Sequence, residues 1–172
     1  MMSRTVDDYR LMADAGIVAV CEPAFWPGLD RQYPESLLDY FDLLTTFEPQ
    51  RAAKRGIKHF CVLGLNAKEA DKPELAEPVL ERIEPYLDHP TVLGIGEIGL
   101  NMNTDNELRY FRRQMEMAID RDLICVIHTP HAAQKKRGTE MIIEVAEELD
   151  PAREKIVIDH CTGETIEMAR AT

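Results

Sequence analysis

The sequence predicts an α/β fold with a parallel sheet, on two observations. Five short apolar or β-branched runs recur along the chain, and stretches of helical periodicity with their own caps and stops lie between them. The runs occupy residues 17–22, 59–65, 92–98, 123–128 and 155–160. Their near-continuous apolarity is that of strands buried on both faces.

The intervening elements follow in order. Residues 6–15 read as a first helix closed by Gly16. The segment 24–34, with Phe25, Trp26, Pro27 and Gly28, is the longest loop directly after a strand. It is read first as an aromatic loop that covers itself and second as one that contacts substrate. Residues 35–55 read as helical with a break near Pro49, and Gly56 ends the segment. Pro73, Pro78 and Pro85 interrupt residues 67–88, so a loop is expected there, followed by a helix from about residue 78. Leu108, Phe111, Met115, Ala118 and Ile119 mark one face of a helix over residues 105–120, with Asp105 or Asn106 as its cap and Arg112 and Arg113 toward solvent. Thr139 is expected to cap a helix that buries Ile142, Ile143, Ala146 and Leu149 and stops before Pro151.

A chain of 172 residues, 45% hydrophobic and 30% charged, is long enough for one sizeable core, so a single domain over residues 1–172 is expected. The formal charge of -11 disfavours unaided binding to nucleic-acid backbones or acidic membranes, because repulsion must first be overcome. No run of 18 apolar residues exists, and Asp7, Asp8 and Tyr9 stand where an export signal would be apolar; the cytoplasm is the expected compartment. Cys21, Cys61, Cys125 and Cys161 form no Cys-x-x-Cys pair and are read as small buried hydrophobes.

The polar residues at the strand ends carry the chemistry. Glu97, His128 and His160 each close a run, at intervals of 31 and 32 residues, one βα unit apart. Side chains at the C-terminal ends of adjacent parallel strands converge on one mouth, where α/β folds place their sites. By alternation His128 shares a face with Val126 and Ile124, and His160 with Ile158 and Ile156, so both imidazoles stand on otherwise apolar faces and need partners. Each alone is more often a hydrogen-bonded core or rim residue. In register, imidazole plus carboxylate suits zinc, manganese or iron. Glu22 also closes a run and is read either as a rim carboxylate or as a ligand or second layer around such a site; His131 is read as solvated or substrate-facing. His59 and His89 are assigned no function, and Asp159 is read first as capping a neighbouring helix and second as orienting a histidine.

Gly96-Glu97-Ile98-Gly99-Leu100 resembles the G-E-I-G-L-D signature of the TatD-like branch of the amidohydrolase superfamily. Leu108 to Ala118 with Phe111 and Gln114, Val126-Ile127-His128-Thr129, and Ile158-Asp159-His160-Cys161 are similar to segments that follow it in the family. The resemblance covers about residues 15–165 and implies a (β/α)8 TIM-barrel fragment of about five parallel strands, with the first strand and the last two missing. It implies two divalent ions (zinc, magnesium or manganese), with Glu97 bridging them and His128 and His160 as ligands. The family's opening His-x-His strand is expected to be missing before Met1-Met2-Ser3, and its general-base Asp is expected beyond Thr172. Asn101 stands where the family usually has Asp, which puts a second-layer or substrate contact in question, and Pro130 where it usually has Arg.

Hydrolysis of a phosphodiester, amide or ester bond by metal-activated water is therefore the expected activity, on a small-molecule or phosphodiester substrate, with nucleic acid disfavoured by the acidic charge. Two rival readings stand beside it: a truncated, catalytically inactive fragment of such a hydrolase, and a phosphotriesterase- or lactonase-like member of the same superfamily.

Overall fold

The computed structural model describes residues 5–131, 134–149 and 151–171. Met1-Met2-Ser3, where the family's first strand is expected to be missing, lies outside them. Five parallel strands, β1 (Ala19–Pro23), β2 (Lys58–Leu63), β3 (Val92–Gly99), β4 (Ile124–His128) and β5 (Ile156–Asp159), pair in chain order to form a curled half-barrel. The predicted runs coincide with these strands to within one or two residues at each end. No helix among the described residues is long and apolar enough to cross a membrane.

One face of the sheet packs on helices. Cys61, Leu63, Ile95, Ile98, Cys125 and Ile127 from β2, β3 and β4 join one core with α2 (Pro34–Asp42), α5 (Pro73–Arg82), α7 (Asp105–Asp120) and α8 (Lys135–Leu149). Burial on both faces holds for the middle strands only. The edge strands alternate, and Val157 of β5 is 48% exposed. Cys21, on edge strand β1, is exposed rather than buried. Burial pushes the Cys61 thiol up to about 12 and that of Cys125 to about 11.

Several helices depart from the sequence reading. Gly16, at φ +83°, follows α1 (Val6–Asp14) as predicted. The break expected near Pro49 is instead a π-helical turn (Leu43–Phe47) running into α3 (Glu48–Ala53), because Pro49 falls in the first turn, where a missing N–H costs nothing. Residues 67–88 hold α4 (Ala67–Ala70), α5 and α6 (Glu84–Leu87) rather than a loop and one late helix. Pro78 lies inside α5, whose Leu75, Ala76, Val79 and Leu80 are buried; tertiary burial outweighs the lost backbone bond. The cap of α7 is Thr104, not Asp105 or Asn106. Thr139 lies within α8, its hydroxyl donating to the carbonyl of Lys135 at 2.9 Å, so it does not cap that helix. The last helix among the described residues is α9 (Ile166–Ala171).

Gln114 of α7 fixes the end of β2. Its side-chain oxygen accepts from the Leu65 N–H at 2.7 Å and its amide donates to the Leu65 carbonyl at 3.2 Å, all buried. Gln114→Ala would leave two buried backbone groups unpaired, a cost of about 2–4 kcal/mol. Urea unfolding should show the midpoint falling with an unchanged slope.

Candidate metal centre

The mouth is set by how β3 meets β4. Gly96 pairs with Val126, but the next pairing is Ile98 with Ile127, so Glu97 is bulged out of register. Ile95 and Ile98 both enter the helix-side core, and Glu97 is left to face the lumen. Its N–H donates to the Ala24 carbonyl beyond β1 at 3.1 Å. Two glycines allow the close approach. A Cβ on Gly96 would lie 2.7 Å from the Val126 Cβ, and one on Gly99, at φ +134°, would lie 2.2 Å from the His128 carbonyl oxygen.

Glu97 Oε1 lies 3.3 Å from His128 Nδ1 and 3.3 Å from His160 Nε2. Donors about 2.1 Å from a tetrahedral ion stand about 3.4 Å apart, so one carboxylate oxygen with two imidazole nitrogens matches an edge-sharing donor set. Glu97 Oε2 accepts from the Asn66 side-chain amide at 2.9 Å. Burial alone would raise the Glu97 carboxyl, but the hydrogen bond and charge of His128, with those of His160, bring it below its usual value. The other nitrogen of His128, Nε2, is buried without a hydrogen-bond partner, an arrangement that a cation would satisfy. Glu97, Asp159 and His160 form one group able to hold an ion, and His128, His131 and His160 form another.

Strand alternation alone does not bring His160 here. Ile156 of β5 packs on the helix-side core, and parity would send His160 the same way. His160 lies just past β5 with φ +58°, a left-handed conformation costing about 1–2 kcal/mol in a non-glycine residue. Asp159 supports that turn: its Oδ1 accepts from the His160 N–H at 2.6 Å and its Oδ2 lies 3.5 Å from Nε2. Asp159 thus orients His160, the second of its two sequence readings, and does so from the adjacent position.

The remaining candidates divide. His131 stands at the mouth, its ring 5.0 Å from that of His128 and 4.4 Å from that of His160. Burial, then the charges of His160, His128, Lys135 and Lys68, hold its imidazole below the ordinary value. Glu22 is directed away from the lumen: it pairs with Cys61 of the helix-side core in register, and its Oε2 lies 3.1 Å from His59 Nε2. Glu22 therefore faces His59 on the helix side and is not among the residues that line this mouth, and His59 has a structural role. Asn101 takes part through its backbone, its N–H donating to Glu107 at 2.9 Å.

Sequence reasoning missed Glu107. Its buried carboxylate also accepts from the N–H groups of Met102 and Asn103, shaping the turn after β3, while Thr104 Oγ1 accepts from the Glu107 N–H. Thr104-x-x-Glu107 is the capping-box spacing, a signal that was there to be read. Lys68 was also missed; its ammonium lies 4.2 Å from the ring centroid of Trp26, on the loop that the sequence offered as a possible substrate contact. Phe25 and Trp26 line a cavity of about 150 Å³ together with Asn66, Glu97 and the three histidines His128, His131 and His160. The loop after β1 therefore lines the site and does more than cover itself.

The fold is that of a partial (β/α) barrel. The chain belongs to the family described as TatD related DNase, whose pattern matches residues 37–172. It is 30% identical over 168 residues to an uncharacterized metal-dependent hydrolase of Methanocaldococcus jannaschii, covering 96% of this chain and 64% of that protein. It thus spans a little under two thirds of that relative's length. The crystal structure of a TatD-like protein from Archaeoglobus fulgidus superposes with a TM-score of 0.84 at 33% identity, covering 99% of this chain and 70% of that one.

Asn66 has two roles here, since its Oδ1 also accepts from the Lys68 N–H at the start of α4. Asn66→Asp keeps an N-cap acceptor but sets a second carboxylate against Glu97, whereas Asn66→Ala loses the cap, worth about 1 kcal/mol. In metal-free buffer at pH 7 the Asp variant should melt below the Ala variant. The reverse order would make the cap the whole contribution of Asn66.

Proposed function

We propose that Glu97, His128 and His160 hold one or two divalent ions and that the site hydrolyses a small anionic ester, amide or phosphodiester. The observation that carries this reading is the placement of one Glu97 oxygen 3.3 Å from a nitrogen of each imidazole. A divalent ion bound there would supply Lewis acidity, lowering the pKa of a water and neutralising charge that develops on the scissile group. Asn66 holds the Glu97 carboxylate in one orientation, and Asp159 holds the His160 ring. Phe25 and Trp26 give the substrate an apolar wall, and Lys68 offers a cation to an anionic group at the cavity edge. The overall charge of -11 favours a small anion over duplex nucleic acid, because attraction at the mouth is local.

Metal content is the readout, because it reports on the ligands whichever bond is cleaved. After metal loading and gel filtration, Glu97→Ala should retain metal at least about tenfold more weakly than the unaltered chain. Full stoichiometric retention by the variant would remove Glu97 from the ligand set. Lys68→Ala should weaken inorganic phosphate binding to the metal-loaded chain by about tenfold, equal to about 1.4 kcal/mol, with metal affinity unchanged. Equal phosphate affinity would leave Lys68 without a substrate role.

A further inference from the structure

We propose that His131 is a metal donor, completing with His128, His160 and Glu97 a three-imidazole, one-carboxylate set that selects a zinc-class ion over magnesium. The inference rests on the metal site proposed above and adds a fourth residue and an ion class to it. Three observations carry it. One donor atom from each of His128, His131 and His160 lies within 4.8 Å of the others, and the three ring centroids are 4.4 to 5.0 Å apart, all edge to face. His128 Nε2, the ring nitrogen that does not face Glu97, is buried without a hydrogen-bond partner.

The third observation is that the segment carrying His131 is anchored. Lys135 Nζ donates to Thr129 Oγ1 at 2.8 Å and to the Pro130 carbonyl at 2.9 Å, and Thr129 Oγ1 donates to the Asp159 carbonyl at 2.9 Å. The turn that presents His131 is therefore tied to the ends of both β4 and β5, the two strands that present His128 and His160. A solvated histidine needs no such framework. His131 is itself exposed on a loop, so small side-chain adjustments can bring its donor nitrogen inward without disturbing the core.

Donor chemistry sets the ion class. Magnesium prefers oxygen ligands and retains water, whereas imidazole suits zinc and its neighbours in the transition series. With two imidazoles and carboxylates the mouth would serve either; a third imidazole tips it toward zinc.

Titration calorimetry of the metal-free chain with zinc and with magnesium tests this, alongside visible spectra of the cobalt(II)-loaded chain. His131→Ala should lower zinc affinity by about tenfold, leave magnesium affinity within about twofold, and weaken the cobalt absorption of a tetrahedral site; His131→Cys should restore zinc binding. Wild-type zinc affinity and cobalt spectrum in His131→Ala, with binding lost in Glu97→Ala, would overturn the role of His131 and leave the ligand set of Glu97, His128 and His160 standing. Equal loss of zinc and magnesium in His131→Ala would overturn the selectivity. An unaltered chain that binds neither ion would overturn both proposals. Circular dichroism of each variant separates loss of a ligand from loss of fold.

Discussion

The mouth depends on one irregularity, the slip of register in β3 between Gly96 and Ile98. A regular strand would place Glu97 on the same face as Ile95, in the helix-side core, where an unpaired carboxylate costs several kcal/mol. The bulge lets Ile95 and Ile98 both stay in that core and sends Glu97 to the lumen, so burial and site formation are satisfied by the same residues. Glycine at 96 and 99 is what lets β4 come close enough for His128 to stand beside it.

Around Glu97 the support is layered and comes from successive βα units. Asn66, just after β2, holds one carboxylate oxygen, and Gln114 on α7 in turn holds the adjoining backbone at Leu65. Glu107 gathers the N–H groups of the turn after β3 into one carboxylate. Thr129 ties the end of β4 to that of β5, and Asp159 sets the turn that brings His160 round. The ends of β2 and β3 and of β4 and β5 are thereby tied together, with Glu97 on a bulge and His160 just past β5, while His128 stays in register within the sheet.

Those ties explain what was legible in the sequence. Strand positions were, because β-branched runs record burial directly. The interval between Glu97, His128 and His160 was, because one βα unit has a nearly constant length. Their routes to the mouth were not. Alternation placed His160 correctly at the strand end but on the wrong face, since a left-handed residue after β5 breaks the parity on which alternation relies. Glu22 failed for the converse reason: it obeys parity, shares the helix side with Cys61, and is satisfied there by His59. Lys68 meets Trp26 across 42 residues of chain and carries no local signal of its own, whereas Thr104 and Glu107 carried one that apolar periodicity overshadowed.

The same sheet divides stability from chemistry. On the helix side, Cys61, Leu63, Ile95, Ile98, Cys125 and Ile127 are all nearly inaccessible, and this face supplies the burial that holds the strands together. On the lumen face Val62, Gly96 and Val126 lie side by side, a row of small and medium side chains ending at exposed Val157. Val62 in this row is itself buried, and the small side chains around it leave room above for the polar groups at the strand ends. Substitutions among those donors should therefore disturb the core little. The register of β3 is the point where the two faces meet, because moving Glu97 back into line would also move Ile98 out of the core.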